Sequence, residues 1–126
     1  MSDDVTADLI RALIEHMRGA RDDWGSLAMV IDLSAGRISG THGYVYSPDG
    51  TASAVASRPS GIAPAVEAYL ASVYTSQQKR PAKILVQFDR SSGAYEVTFE
   101  DDDATRWKAT PANIEQLSEQ LRPRFD

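Results

Sequence analysis

The sequence KILVQFDRSSGAYEVTFE, residues 83–100, indicates the fold class more clearly than any other stretch of the chain. On each side of the polar segment 90–93, every second position is apolar: Ile84, Val86 and Phe88 before it, and Tyr95, Val97 and Phe99 after it. Period-two alternation is typical of strands with one buried face, and a short turn containing glycine joins antiparallel neighbours. The stretch therefore predicts an antiparallel β-hairpin.

Three more strands are predicted upstream, over 27–33, 38–46 and 51–57, because apolar and small or polar residues alternate there as well. The turn sequence SPDG follows the second of them. Glycines inside that strand indicate a bulge or a close approach by another part of the chain. Strict alternation would place one set of its side chains on a single face of the sheet: Ile38, Gly40, His42, Tyr44 and Tyr46.

Three helices accompany these strands. Apolar residues three and four positions apart predict a first helix over 4–18. Pro64 suits the first turn of a second helix that runs to Arg80, and Thr110 and Pro111 suit the cap and first position of a last one.

The element order is therefore α-βββ-α-ββ-α, in one domain that spans 1–126. Short hairpin connections imply antiparallel pairing, and strands with one polar face imply helices that cover the other face only. We expect an α+β fold with an antiparallel sheet of about five strands and helices packed on one face.

The composition narrows the classes of function. Asp and Glu number 18 against 13 Lys and Arg, giving a formal net charge of −5, which repels nucleic-acid phosphates and attracts cationic surfaces. No stretch is apolar enough for a membrane span, and the first ten residues carry acids where a signal peptide carries Lys or Arg. The chain has no cysteine, which excludes disulfides and zinc sites built on thiolates. We expect a cytoplasmic protein that binds neither nucleic acid nor membrane and needs no cofactor.

Few residues suggest catalysis or metal binding. His16 and His42 are the only imidazoles, and no paired metal-ligand spacing surrounds them. Neighbouring strands could bring Asp32 beside His42, which would then act as a general base together with Glu96. No phosphate-binding loop or nucleophile elbow is present, so we expect no catalytic residues and keep this trio as an alternative.

The densest charge cluster is Glu100-Asp101-Asp102-Asp103. It lacks the alternating ligands and central glycine of a calcium loop, but clustered carboxylates accept arginine pairs and steer association with a basic partner. Tyrosine and tryptophan are the residues that interfaces favour as anchors. The predicted partner-binding residues are Asp22, Asp23, Tyr44, Glu100, Asp101, Asp102, Asp103 and Trp107.

The second hairpin and the residues after it resemble a pattern in the YezG-like immunity (antitoxin) family. In that family an N-terminal helix, a tryptophan, a strand meander and a helix precede a late Gly-x-Tyr-x-Val-x-Phe segment with acids and a tryptophan. Trp24 and residues 93–107 match this order, whereas Ala104-Thr105-Arg106 stands where the family carries Tyr or Asp. The resemblance implies an immunity partner of a bacterial polymorphic toxin, which it neutralises by direct binding.

Three interpretations of the function follow. The first is an immunity protein that occludes the active site of a contact-dependent or secreted toxin, such as a nuclease, whose basic site an acidic inhibitor can fill. The second is a small enzyme that uses Asp32, His42 and Glu96. The third is a homodimeric regulatory or scaffold domain, so the expected state is a monomer or a weak homodimer.

Overall fold

The computed structural model describes residues 2–19, 23–34, 37–74, 80–101, 103, 106–107, 110 and 113–123. Within these ranges the chain forms three helices and six strands: α1 (Ser2–Glu15), β1 (Met17–Arg18), β2 (Ser26–Ser34), β3 (Arg37–Tyr46), β4 (Ala52–Ser57), α2 (Pro59–Val73), β5 (Lys83–Asp89), β6 (Tyr95–Glu100) and α3 (Ile114–Gln120). The strands form one sheet in the order β1-β4-β3-β2-β5-β6, and every neighbouring pair is antiparallel. The predicted α+β class and antiparallel sheet are confirmed, with six strands instead of about five.

The additional strand is β1, which the sequence pattern assigned to the first helix. Met17 and Arg18 pair with Ser57 and Ala56 of β4, and the N–H of Arg58 donates to the His16 carbonyl at 2.9 Å. The helix therefore ends at Glu15, because the next residues satisfy their backbone groups on the sheet edge instead. Two residues are too few for an alternation pattern to reveal a strand.

One face of the sheet carries the main hydrophobic core. Alternate residues of the central strands point to it, among them Leu27, Met29 and Ile31 of β2, and α1 and α2 cover them with Leu9, Leu13 and Leu70. Trp24, next to β2, is buried in this core, and the guanidinium of Arg90 lies 4.6 Å from its ring centroid. Burial of these side chains, at roughly 1.5–3 kcal/mol for each large one, is the main source of stability.

The opposite face packs against α3, so the prediction that helices cover one face holds for α1 and α2 and is wrong for α3. Leu117 of α3 and Leu121, its C-cap, are buried with Ala28, Val30, Tyr46 and Leu85. The Tyr46 hydroxyl donates to the Ser118 carbonyl at 2.6 Å. Burial raises the pKa of Tyr46 above its ordinary value. The second face therefore carries a smaller apolar cluster, covered by a helix of seven residues.

A β-bulge separates the two ends of β3. Asp32 pairs with Gly40 and Leu33 with Ile38, so Ser39 is the extra residue. The bulge turns Ile38 onto the α1/α2 face, where it packs against the core, and the prediction that it shares a face with Tyr44 was wrong.

The other role predicted for the glycines of β3, a close approach by another part of the chain, is also found. A Cβ at Gly43 would overlap the Ala28 carbonyl oxygen and lie 2.9 Å from the Met29 Cα, whereas one at Gly40 would meet nothing within 4 Å. Gly43 therefore allows β2 and β3 to approach closely, and Gly40 accompanies the bulge.

The ends of α2 and α3 differ from the prediction. Helix α2 begins at Pro59, five residues before Pro64, and ends at Val73, so Arg80 lies outside it. Asn113 occupies the N-cap of α3 and accepts hydrogen bonds from the backbone and hydroxyl of Thr110, while the predicted Pro111 lies outside the described residues. In the described part of the chain, no helix has the length and apolar composition needed to cross a membrane.

Candidate protein-binding surface

The end of β6 leads into the predicted acidic cluster, where Glu100 differs from its neighbours. Its carboxylate accepts a hydrogen bond from the Asp103 N–H at 3.1 Å and pairs with the Arg106 guanidinium at 2.8 Å. Only 18% of its side chain is exposed, whereas Asp101 and Asp103 are exposed. Glu100 therefore shapes the turn, and Asp101 and Asp103 are the acids that it presents to solvent; Asp102 lies outside the described residues.

The other predicted acids lie elsewhere. Asp23 is exposed beside the start of β2 and accepts a hydrogen bond from the Ser47 hydroxyl at 3.3 Å. At the start of β2, Ser26 pairs with Asp89, and near its other end Asp32 pairs with Lys83. Lys83 pairs in turn with Glu100 of β6. Asp23 and Glu100 are thus at opposite ends of the sheet, roughly 20 Å apart along the strands. Asp22 lies outside the described residues.

The two predicted aromatic anchors are half-buried. Trp107 and Tyr44 pack against the cluster beneath α3, and the Arg106 guanidinium lies 4.4 Å from the centroid of the Trp107 ring. Trp107 has a φ of 62°, the left-handed region that a bulky residue rarely adopts. The structure brings these two residues together, but it gives them a packing role on the α3 face.

A charged cluster of Asp32, His42 and Lys83 lies on the same face. The Lys83 ammonium is 3.0 Å from Asp32 Oδ1, and His42 Nδ1 is 3.4 Å from Oδ2. Lys83 is 5% exposed. Asp32 Oδ1 is buried and accepts no hydrogen bond of good geometry, so its compensation comes from the electrostatic attraction of Lys83.

This cluster does not complete the predicted catalytic trio. His42 Nε2 lies 2.7 Å from the Trp107 carbonyl, so both ring nitrogens face an acceptor and neither is open to a substrate. Glu96 of β6 pairs with Gln87, which lies four residues along β5 from Lys83. β5 also separates β6 from β2, the strand that carries Asp32. That separation, about 10 Å across and about 13 Å along the strands, keeps Glu96 away from Asp32. The geometry suits a structural tie that holds Trp107 over the sheet.

Sequence reasoning missed the outer edge of β6. Within the described ranges, no strand pairs with β6 on the side opposite β5. Tyr95, at its start, is 44% exposed. Between α1 and this end of the hairpin lies a groove of about 360 Å³, lined by residues that include Ile10, Ile14, Phe88 and Tyr95. The Tyr-x-Val-x-Phe alternation revealed the strand, but alternation carries no information about which strand lies at an edge.

The hairpin beside this groove is held by its own turn. Asp89 accepts hydrogen bonds from the hydroxyls of Ser92 at 2.8 Å and Ser91 at 3.1 Å, and from the Ser91 N–H at 3.3 Å. These bonds, that of Ser92 first, lower the pKa of the Asp89 carboxyl below its ordinary value. The position of Tyr95 is therefore set by a turn with a defined geometry.

The described residues contain no group of three His, Asp or Glu side chains that could hold a metal ion. Comparisons with protein-family models, with curated proteins and with solved structures found no match. The resemblance to the YezG-like family therefore stays a prediction, and the function is argued from the surface itself.

Proposed function

We propose that this chain is an immunity protein, which acts in the cytoplasm and neutralises a cognate bacterial toxin by binding it and occluding its active site. The observation that supports this most is the position of the exposed acids Asp101 and Asp103 directly after β6, whose outer side pairs with no strand among the described residues. An edge strand offers backbone groups to a partner, and adjacent carboxylates favour a basic one.

The charge distribution supports a nuclease as the class of toxin. A site that binds nucleic acid is basic, because it must attract phosphates. Asp101 and Asp103 are exposed, and the Glu100 carboxylate holds the Asp103 N–H and the Arg106 guanidinium beside them. Carboxylates carried by an ordered backbone can occupy phosphate positions with less loss of conformational entropy than those on a flexible segment.

Growth of a bacterial host tests this proposal. The toxin candidate is the C-terminal domain of the protein encoded by the reading frame immediately upstream of this one. Expressed alone, that domain should arrest growth, and co-expression of this chain should restore it through a complex that co-purifies. Growth arrest without rescue, together with no complex by sizing chromatography, would refute the proposal.

Charge reversal tests the contact residues in the same system. Asp101→Lys with Asp103→Lys should lower the association rate by about tenfold at low salt and weaken its salt dependence. Asp101→Lys alone and Asp23→Lys form the matched comparison, because each raises the net charge by about two units and Asp23 lies at the opposite end of the sheet. Equal effects of the two changes would mean that net charge, and not this turn, guides association.

The contact between Asp32 and His42 favours a second candidate, a small enzyme with His42 as general base. It requires His42 Nε2 to be released from the Trp107 carbonyl and Glu96 to be dispensable. Under this candidate His42→Ala abolishes the activity, whereas under the proposed function it leaves rescue of growth unchanged apart from any loss of stability.

A further inference from the structure

We propose that the outer edge of β6 is the docking site, and that the partner adds an extended segment with alternating cationic and apolar side chains to it as a seventh strand. This inference deepens the proposed function and rests on it, because it takes the partner to be a protein with a basic surface.

The hydrogen-bond ladder determines which backbone groups are available. The Asp89 N–H donates to the Ala94 carbonyl, and the Arg90 N–H donates across to Gly25 on the other side of β5. In an antiparallel ladder successive residues bond to alternate sides. The residues of β6 that bond to β5 are therefore the even-numbered ones, and the N–H and C=O groups of Tyr95, Val97 and Phe99 point away from the sheet.

The side chains of β6 set what a seventh strand must carry. Tyr95, Val97 and Phe99 lie on the core face, where Val97 and Phe99 pack against the core and Tyr95 lines the groove with Ile10 and Ile14. Glu96, Thr98 and Glu100 lie on the opposite face, where Glu100 already pairs with Arg106 and Glu96 is the exposed acid. An added strand places its own residues on the same two faces alternately. Apolar residues suit the groove side, and Lys or Arg suits the acidic side.

Charge disfavours one register in which a second copy of the chain could occupy this edge. If two β6 strands paired antiparallel about Thr98, Glu96 of each would lie opposite Glu100 of the other. Like charges directly opposite each other destabilise a strand pair, and acids on an edge are a known protection against such pairing. A cationic strand is instead attracted by the exposed Glu96.

A synthetic peptide tests the edge without the natural partner. The probe is Lys-Val-Lys-Val-Lys-Val-Lys, added to the isotopically labelled full chain and followed by NMR shifts and amide hydrogen exchange. We expect saturable binding, with exchange slowed at Tyr95, Val97 and Phe99; the amides of Glu96 and Thr98 are protected already. The Glu-Val counterpart should bind at least about tenfold more weakly, and a version with alternate amides methylated should lose binding, because it cannot form the ladder.

Two variants of one residue separate the backbone from the ring. Tyr95→Ala removes the groove-lining side chain and keeps the outward N–H, whereas Tyr95→Pro removes both. Proline is tolerated at the first residue of an edge strand, and the N–H that it removes bonds to no strand in the described part of the chain. Tyr95→Pro should therefore weaken binding of the Lys-Val peptide more than Tyr95→Ala does. The NMR spectrum of each variant checks that it is folded.

The outcomes are distinct. Shifts confined to other surfaces, or equal binding of the Lys-Val and Glu-Val peptides, overturn the edge inference even if the chain rescues growth. Protection of the same three amides in the free chain at high concentration, with a dimer on sizing chromatography, also overturns it in favour of self-association. Peptide binding at β6 without rescue of growth by the chain supports the edge as a docking site and refutes the proposed immunity function alone.

Discussion

Removal of one partner from the ion pair of Lys83 and Asp32 should destabilise the protein more than the net value of the pair suggests. At 3.0 Å the attraction of two unit charges is about 5 kcal/mol for an effective dielectric constant near 20. Much of this offsets the cost of removing Lys83 from water, since its side chain is 6% exposed while that of Asp32 is 29% exposed. The net value of the pair is therefore small, but loss of one partner is costly.

Asp32→Ala should destabilise the protein by about 3 kcal/mol, because it leaves the Lys83 ammonium buried without its carboxylate. Lys83→Met should cost less, about 1 kcal/mol, since methionine fills similar space. Asp32 would still lie beside His42 and remain partly exposed to solvent. The double variant should be more stable than Asp32→Ala alone. Urea unfolding followed by the fluorescence of the buried Trp24 measures all three. Additive single effects, or a larger cost for Lys83→Met, would refute the reasoning.

Three further outcomes are expected. Burial raises the pKa of Tyr46 above its ordinary value of 10.0. The stability that the neutral hydroxyl contributes is therefore complete below pH 10.0 and is lost as the pH rises further. Unfolding of the wild type and of Tyr46→Phe at about pH 9 to 11 measures this loss. Gly43→Ala should cost about 3 kcal/mol or prevent folding, whereas Gly40→Ala should change the unfolding midpoint little. Because the pKa of Asp89 is lowered, the stability gap between wild type and Asp89→Ala should narrow as the pH falls below about 4, measured by acid unfolding.

Local patterns were sufficient for β2 to β6, because each of these strands carries its own alternation, whereas the two residues of β1 are too few to show one. The hairpin formed by β5 and β6 is where residues 84–88 and 95–99 predict it. Where one extra residue enters a strand, alternation misleads: the bulge at Ser39 moves Ile38 to the other face. Nothing in the local pattern of β3 marks Ser39 rather than a neighbour of Gly43 as the irregular position.

The candidate surface was predictable only in part. The acids at 100–103 are consecutive in the chain, so the sequence alone reveals the cluster. Strand order depends on long-range pairing, and without it the edge position of β6 is invisible. The same holds for the roles of Glu100 and Trp107, since Arg106 and His42 reach them only after the chain has folded back over the sheet.

The central position of β2 has a consequence for biosynthesis. Its residues Leu27 to Ile31 are completely buried, yet one of its two neighbours is β5, which pairs Ser26 with Asp89. During translation the meander of β2, β3 and β4 leaves the ribosome first and exposes an apolar edge until residue 89 follows. Such an edge is a site for misassembly. The nascent chain is therefore most vulnerable to aggregation in that interval, and a product truncated before β5 should not accumulate in soluble form.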